Sequence, residues 1–154
     1  MRTGTSSKHP LILVLVGLPA SGKSTWAREN EVPAISSDAM RELLADDVTN
    51  QAIHRDVFKH VRAVLRTRLA IRRPKTAIDA TNLTFKERRP YLEIARRAGA
   101  RIEAVYFDIP IEECLKRNRG RGRVVPDEAI RAMAGKMQRP SIVEGFDAVH
   151  IVTP

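Results

Sequence analysis

Residues 11–25 read Leu-Ile-Leu-Val-Leu-Val-Gly-Leu-Pro-Ala-Ser-Gly-Lys-Ser-Thr. The unbroken apolar run at 11–16 predicts a strand that is buried on both faces of a parallel sheet. The run ends at Gly17, and the sequence Gly17-x-x-x-x-Gly22-Lys23-Ser24 matches the phosphate-binding loop motif position by position. Because the motif lies after a predicted strand and before a predicted helix, its context supports the match. The stretch predicts an anion site at the carboxyl end of the first strand.

The residue types in this loop suit the phosphate chain of a nucleotide. Gly17 and Gly22 let the backbone turn tightly, so that N–H groups and the start of the next helix point at the α- and β-phosphates. Lys23 can reach the β- and γ-phosphates, and the Ser24 hydroxyl can ligate the accompanying Mg²⁺. The candidate nucleotide-binding residues are Gly17, Pro19, Ala20, Ser21, Gly22, Lys23, Ser24 and Thr25.

An ordinary glycine-containing turn is one alternative for this stretch, and a secretory signal peptide is another. Arg2 and Lys8, followed by the apolar run and small residues, imitate such a signal. Cleavage near Ala20 would remove the strand and half of the loop, so we favour the phosphate-binding loop. No run approaches the roughly 18 apolar residues of a membrane-spanning helix, and we expect no membrane partner.

The composition predicts a single domain. With 154 residues and 43% hydrophobic content, the chain is expected to fold as one domain over residues 10–154, after a polar, disordered leader at 1–9. The single cysteine, Cys114, has no disulfide partner and suits a reducing compartment, which favours the cytoplasm. The histidines at 9, 54, 60 and 150 lack metal-ligand spacing, so we predict no zinc site.

The net charge of +9 favours polyanionic partners, which a basic surface attracts at long range. A solvated basic surface without such a partner is the alternative. Aromatic residues make up only 5% of the chain, so contact with a nucleic acid should be mostly through phosphates. The candidates for stacking on bases are Trp26, Phe58, Phe85, Tyr91 and Phe146.

Strand and helix patterns alternate along the chain. Strands are predicted at 11–16, 33–36, 76–78, 101–107 and 148–152. Helices are predicted at 22–29, 39–44, 51–72, 111–118 and 127–137, with another that starts at Thr84 or Pro90 and ends at Gly99. In the helix at 51–72, a solvated face is expected from Arg55, Lys59, Arg62 and Arg66. The alternation predicts an α/β fold with a doubly wound five-stranded parallel sheet and helices on both faces.

The carboxyl ends of parallel strands meet at one edge of such a sheet, where ligands bind. Asp38 follows the second strand, and its carboxylate could accept the proton of a hydroxyl that attacks a γ-phosphate. The plainer role for Asp38 is to cap the next helix, and the two roles are compatible. Arg41, one helical turn later, could hold an anionic group of the acceptor or could be a surface cation.

Asp79 ends the third strand, where phosphate-loop enzymes hold Mg²⁺ directly or through water. Ser24 and Asp79 are therefore the metal candidates, and a strand-end turn is the alternative role for Asp79. Thr81 and Asn82 follow as neutral hydrogen-bonding groups that could position the acceptor or a phosphate.

Residues 116–123, Lys-Arg-Asn-Arg-Gly-Arg-Gly-Arg, hold five cations in eight positions, and the two glycines predict flexibility. We predict a short arginine-rich lid at about 117–124 that closes over the nucleotide and excludes water. Arg121 and Arg117 are the candidates for stabilising the transferring phosphoryl group. Arg119 and Arg123 are expected to contact nucleotide or solvent.

Together these motifs resemble the 5′-hydroxyl polynucleotide kinase domain of phage and bacterial end-healing enzymes. The similar stretches are Gly-Leu-Pro-Ala-Ser-Gly-Lys-Ser-Thr-Trp-Ala-Arg-Glu at 17–29, Ser-Asp-Ala-Met-Arg at 37–41, Asp-Ala-Thr-Asn-Leu-Thr at 79–84, Glu-Arg-Arg at 87–89 and Val-Tyr-Phe-Asp-Ile-Pro at 105–110. The resemblance implies an adenylate-kinase-like P-loop fold, Mg²⁺ or Mn²⁺, and ATP or another NTP as phosphate donor. It implies that Asp38 is the general base, that Arg41 binds the phosphate on the 3′ side of the 5′-terminal nucleoside, and that Arg121 is the lid arginine.

The predicted activity is transfer of a γ-phosphate to the 5′-hydroxyl end of RNA or DNA. The predicted catalytic set is Asp38, Lys23, Arg121 and Arg117. A kinase of a small-molecule alcohol, such as a sugar, nucleoside or antibiotic, is an alternative, and a non-catalytic nucleotide-binding switch is another. The sequence leaves the oligomeric state and the choice between RNA and DNA open.

Overall fold

The structure, a computed structural model, describes residues 9–154, and a five-stranded sheet lies at its centre. The strands are β1 (Leu11–Val16), β2 (Ala34–Ser36), β3 (Lys75–Asp79), β4 (Arg101–Phe107) and β5 (Ala148–Val152). They lie in the order β2-β3-β1-β4-β5, and all neighbours are parallel. Apart from His9, the predicted leader lies outside the described residues.

Six α-helices connect the strands within the described part of the chain. They are α1 (Lys23–Glu29), α2 (Ser37–Ala45), α3 (His54–Ala70), α4 (Phe85–Ala98), α5 (Ile111–Arg119) and α6 (Asp127–Lys136), and a short 3-10 helix follows at Ile142–Glu144. Helices α3 and α4 pack on one face of the sheet, and α1, α5 and α6 pack on the other. The predicted doubly wound parallel sheet is therefore confirmed. Between residues 9 and 154, no helix is both long and apolar enough to cross a bilayer.

The apolar run of β1 is unbroken because both faces of this central strand are covered. Ile12, Val14 and Val16 belong to the core beneath α3 and α4. Leu13 and Leu15 belong to the core beneath α1, α5 and α6. Successive side chains of a strand point to opposite faces, so a strand between two cores needs apolar residues at every position. This burial fixes β1 at the centre and the phosphate-binding loop at its carboxyl end.

The predicted start of α2 is wrong by two residues. The helix begins at Ser37, and the Oγ of Ser36 accepts a hydrogen bond from the Ala39 N–H at 3.1 Å. Ser36 is therefore the N-cap, and Asp38 lies in the first turn instead of capping it. A serine hydroxyl caps a helix as well as a carboxylate does, and this leaves the carboxylate of Asp38 free for other contacts.

The structure decides the start of α4 and extends the predicted α5. Of the two starts considered for α4, the earlier is right, since the Thr84 Oγ1 accepts from the Glu87 N–H and Pro90 lies inside the helix. Helix α5 continues through Arg119, so the first part of the predicted lid is helical and the irregular segment runs from 120 to 126. The lid is thus an extension of a packed helix.

Candidate active site

A cavity of about 950 Å³ opens at the carboxyl ends of β1, β2 and β3. Its wall includes the phosphate-binding loop, Asp38, Arg41 and Asp79, together with three arginines of the predicted lid. Parallel pairing explains this convergence, because Ser36 at the end of β2 lies opposite Asp79 at the end of β3. The sheet therefore brings the predicted features together at one edge.

The phosphate-binding loop turns through backbone conformations that favour small residues. Ala20 and Gly22 have φ values of 64° and 99°. A Cβ on Gly17 would lie 2.6 Å from the Ser21 Oγ and 3.0 Å from the Phe107 Cβ, so the loop folds back only because position 17 has no side chain. The Oγ of Ser21 is buried and has no hydrogen-bond partner among the described residues.

Lys23 lies beneath the loop and is 8% exposed. Its Nζ donates to the carbonyl oxygens of Gly17 at 3.0 Å and Leu18 at 2.8 Å. Burial lowers the pKa of Lys23 to about 8, and the nearby Asp79 carboxylate partly opposes that shift. A bound polyanion would favour the charged form of Lys23, so the site suits a phosphate chain.

Ser24 and Asp79, the predicted metal ligands, are in direct contact. The Ser24 hydroxyl donates to Asp79 Oδ2 at 2.6 Å. No group of three or more His, Cys, Asp or Glu side chains within residues 9–154 could hold a metal ion. Mg²⁺ needs no such group, because it is bound through one or two protein oxygens, water and substrate phosphates. The hydroxyl and the carboxylate therefore fit a Mg²⁺ or Mn²⁺ ion that arrives with a nucleotide.

Asp38 lies between two arginines. Its Oδ2 is 2.9 Å from Arg123 Nη1, and its Oδ1 is 3.7 Å from Arg41 Nη1. The side chain of Asp38 is about half exposed, so the carboxylate remains open to the cavity. Arg123 was predicted to contact nucleotide or solvent, and in the structure it is an ion-pair partner of the candidate base.

Arg41 is the more deeply placed of these two cations. It is 5% exposed, and its Nη2 lies 3.3 Å from His54 Nδ1. Its Nε is buried and has no hydrogen-bond partner in the part of the chain that the structure describes. A buried guanidinium with an unused donor is costly unless an anion binds it, so Arg41 is a candidate anion site and not a surface cation.

The lid arginines occupy different environments. Arg117 lines the cavity, and its Nη1 lies 3.8 Å from the point that a Cβ on Gly22 would occupy. Arg121 also lines the cavity and has a buried Nη1 without a partner among residues 9–154. Arg119 instead pairs with Asp127 at 3.1 Å and is absent from the cavity wall. Of the two contacts predicted for Arg119, nucleotide or solvent, the structure favours solvent, because the last turn of α5 points the exposed side chain at the start of α6.

The lid is anchored by Asn118, which is completely buried. The Asn118 Nδ2 donates to the Val125 carbonyl at 2.6 Å, and its Oδ1 accepts from the Val125 N–H at 3.0 Å. This pair of bonds closes the loop that carries Arg121 and Arg123. The glycines predicted flexibility, whereas the structure ties both ends of the loop together.

Of the two neutral residues beyond β3, only Thr81 lines the cavity. Its carbonyl also accepts from the Gly17 N–H at 3.1 Å. Asn82 is 2% exposed with a φ of 48°, and its Nδ2 donates to the Leu15 carbonyl at 2.7 Å. The predicted substrate contact of Asn82 is wrong, because its amide joins the ends of β1 and β3.

Further aromatic rings line the cavity, and two of them belong to predicted stacking candidates. His54 and Phe58 line the wall near Arg41, with their ring centroids 4.8 Å apart. Trp26 lines the opposite part and meets Phe107 edge-on, with ring centroids 6.1 Å apart. Two of the stacking candidates, Trp26 and Phe58, thus reach the cavity, whereas Tyr91 and Phe146 are core residues. His54 carried no sequence signal, since it opens α3 after an irregular loop.

Comparison with known proteins shows where this architecture recurs. The family model of the AAA domain called AAA_33 matches residues 12–140. The L-seryl-tRNA(Sec) kinase of Methanococcus maripaludis is 23% identical over 92% of this chain and 58% of its own length. The bifunctional polynucleotide phosphatase/kinase of Schizosaccharomyces pombe is 28% identical over 95% of this chain and 34% of its own length. The chain therefore spans only part of these relatives.

Solved structures give the same picture. A chain of the Pnkp1/Rnl/Hen1 RNA repair complex superposes with a TM-score of 0.72 and 27% identity, covering 88% of this chain and 46% of that one. The APS kinase CysC of Mycobacterium tuberculosis superposes with a TM-score of 0.61 over 95% of this chain and 89% of its own, and at 20% identity it supports the fold alone. With its phosphate-binding loop, parallel sheet and family match, this chain belongs to the AAA_33 family of AAA domains and has the fold and nucleotide site of a P-loop kinase.

Proposed function

We propose that the protein transfers the γ-phosphate of ATP or another NTP to the 5′-hydroxyl end of a polynucleotide. The observation that carries this proposal is Arg41, a buried cation with an unused Nε that lies beside the candidate base Asp38. A phosphate on the acceptor would accept a hydrogen bond from this donor and also balance the guanidinium charge, whereas the oxygen of a neutral alcohol could accept the hydrogen bond but would not balance the charge. The relatives named for polynucleotide kinase and RNA repair agree with such an acceptor.

The loop residues bind and orient the donor in this mechanism. Backbone N–H groups at 17–24 and the Lys23 ammonium hold the phosphates. Ser24 and Asp79 would hold Mg²⁺ or Mn²⁺, which neutralises charge on the phosphates when it is bound. Arg121 and Arg117 line the same cavity and stabilise the negative charge of the transferring group.

Asp38 acts on the acceptor. Its carboxylate accepts the hydroxyl proton while the acceptor oxygen forms a bond to the γ-phosphorus. The bond between that phosphorus and the β–γ bridging oxygen breaks, and the nucleoside diphosphate leaves. Because Arg123 contacts Asp38 Oδ2 at 2.9 Å, the acceptor hydroxyl displaces this arginine from the oxygen it uses.

The serine hydroxyl of a seryl-tRNA is a second candidate acceptor. Relatives in Methanococcus maripaludis, mouse and human are named L-seryl-tRNA(Sec) kinase, and the mouse protein is 27% identical over 79% of this chain. The same base and phosphate-binding loop would serve this reaction. The two acceptors differ in where their phosphates lie relative to the reacting hydroxyl.

The experiment is incubation with γ-labelled ATP and Mg²⁺, with 5′-hydroxyl RNA, 5′-hydroxyl DNA, seryl-tRNA and small alcohols as separate acceptors. Label should appear at the 5′ end of the oligonucleotides. Asp38→Asn should lower transfer by about 10²- to 10⁴-fold with nucleotide binding unchanged. Asp127→Asn, which removes a carboxylate outside the cavity, is the matched control and should keep its activity.

Two results would overturn the proposal. Label on seryl-tRNA or a small alcohol, with none on any 5′-hydroxyl oligonucleotide, would show that the acceptor is not the 5′ end of a polynucleotide. Full activity in Asp38→Asn would show that Asp38 is not the general base.

A further inference from the structure

Four cations form a line along one face of α3, and we call them the basic stripe: Arg55, Lys59, Arg62 and Arg66. Their spacing of four, three and four residues places them on one side of the helix. Arg55, Lys59 and Arg66 are exposed, and Arg62 is partly buried. At a rise of 1.5 Å per residue, the stripe is about 16 Å long.

None of the four stripe residues forms an ion pair with a carboxylate in the part of the chain that the structure describes. Within residues 9–154, none of its members lies within 4.0 Å of an Asp or Glu oxygen, although arginines on α4, α5 and α6 do form such pairs. Asp56, the acidic residue of α3, lies three residues before Lys59 and therefore beside one edge of the stripe, but the structure shows no ion pair between them. The stripe is therefore a row of cations without direct ion pairs among the described residues, on a protein whose net charge is +9.

The stripe begins at the cavity. His54 is the first residue of α3 and Phe58 lies one turn later, and both line the cavity wall. Phe58 and Arg62 are four residues apart, so the aromatic side chain adjoins the stripe along the helix. His54 also contacts Arg41, which places this end of the stripe on the side of the cavity that we assign to the acceptor.

We propose that the basic stripe binds the phosphates of the acceptor strand beyond its 5′-terminal nucleoside. This inference rests on the proposed function and specifies its substrate as an extended single strand. The strand leaves the cavity past Phe58 and follows α3, with Arg41 at the first phosphate and the stripe at later ones. A mononucleotide acceptor reaches Arg41 and does not reach the far end of the stripe.

The test compares two triple variants that remove the same charge. Arg55→Gln/Lys59→Gln/Arg66→Gln removes the three exposed charges of the stripe and leaves the partly buried Arg62 in place. The control is Arg28→Gln/Lys116→Gln/Lys136→Gln, whose exposed cations lie on helices of the other sheet face and also lack carboxylate partners among the described residues. Glutamine matches lysine and arginine closely in helix propensity, so both variants should fold. A Tm equal to that of the wild type in both variants checks that they fold.

Two measurements follow. The KM for 5′-hydroxyl oligonucleotides of increasing length should rise by about 10- to 100-fold in the stripe variant for long acceptors, and should stay unchanged for a nucleoside 3′-phosphate. Fluorescence anisotropy with a labelled 12-nucleotide strand should show a salt slope lower by about 2, from three contacts at 0.7 each. The control should behave as the wild type in both.

Equal losses of oligonucleotide binding in the stripe variant and the control would refute the proposed role of the stripe, because the net charge of the protein would then account for binding. A wild-type KM that does not depend on acceptor length would also refute it. If the wild type phosphorylates no 5′-hydroxyl end at all, the proposed function fails. In that event the anisotropy comparison still shows whether the stripe binds a single strand, since a binding measurement does not require turnover.

Discussion

Raising the pH through the pKa of Lys23 should weaken nucleotide binding. Lys23 is buried, and burial lowers its pKa to about 8, from 10.5 for a free lysine. A bound triphosphate favours the charged ammonium, so the complex holds this proton to a higher pH than the free protein does. Above pH 8 the free protein therefore takes up a proton when it binds, and the apparent affinity falls as the pH rises.

The size of the effect follows from the pKa. With a pKa of about 8 in the free protein, the apparent Kd should rise about tenfold between pH 7 and pH 9, or about 1.4 kcal/mol. A lysine with the ordinary pKa of 10.5 would weaken binding by only about 3% at pH 9. The difference between these expectations is large enough to measure.

Titration calorimetry with a non-hydrolysable ATP analogue, in buffers of different ionisation enthalpy, reports the proton uptake. It should be about half a proton at pH 8 and about 0.9 at pH 9. Lys23→Arg is the control, because a guanidinium stays charged throughout this range and should abolish the uptake. Absence of proton uptake by the wild type at pH 9 would show that Lys23 is not a buried, titrating group.

Two further predictions concern the lid. Arg121→Gln should lower kcat by about 10²-fold or more, while Arg119→Gln should change it by less than about twofold, because only the first side chain lines the cavity. Steady-state kinetics of the two variants checks this. A larger loss of kcat in Arg119→Gln than in Arg121→Gln would contradict the assignment of Arg121 as the lid arginine that stabilises the transferring group. Asn118→Ala breaks two buried bonds to Val125 and should cost about 1–3 kcal/mol, or roughly 2–12 °C in Tm, with a fall in kcat. Unchanged Tm and kcat would contradict the anchoring role.

The sequence was sufficient for the sheet because burial dictates its pattern. Strands β1 and β4 lie between two layers of helices. Strand β1 is apolar at every position and β4 at five of its seven, and the predicted ends of both strands match the structure. The phosphate-binding loop was equally predictable, since its backbone geometry requires particular residue types at fixed spacing. Both signals are local, so a single sequence contains them.

The errors arise where distant residues decide between locally equivalent choices. Ser36 and Asp38 are both good helix caps, and the pairing of Ser36 with Asp79 in the sheet sets which one occupies the cap. Asn82 has a polar side chain of the kind that binds ligands, yet its amide donates to the carbonyl of Leu15, which is 67 positions away in sequence. Arg119 is the last residue of α5 and Arg121 lies beyond its end, and only Arg121 lines the cavity. Local propensity does not contain this information.

The unused donors of the cavity bear on the nature of the acceptor. Ser21 Oγ, Arg41 Nε and Arg121 Nη1 are buried side-chain atoms without partners in the described chain, and all three residues line the cavity. Such groups are rare in folded proteins and cost about 1–3 kcal/mol each, so their coincidence in one cavity points to ligands that satisfy them. Ser21 belongs to the phosphate-binding loop, whereas Arg41 lies on α2 beside Asp38. A nucleotide on the loop accounts for the first position. Arg41 lies beside the candidate base. Under the proposed function, a phosphate on the acceptor would accept from the Arg41 Nε and also balance its charge, whereas a neutral sugar oxygen would only accept the hydrogen bond.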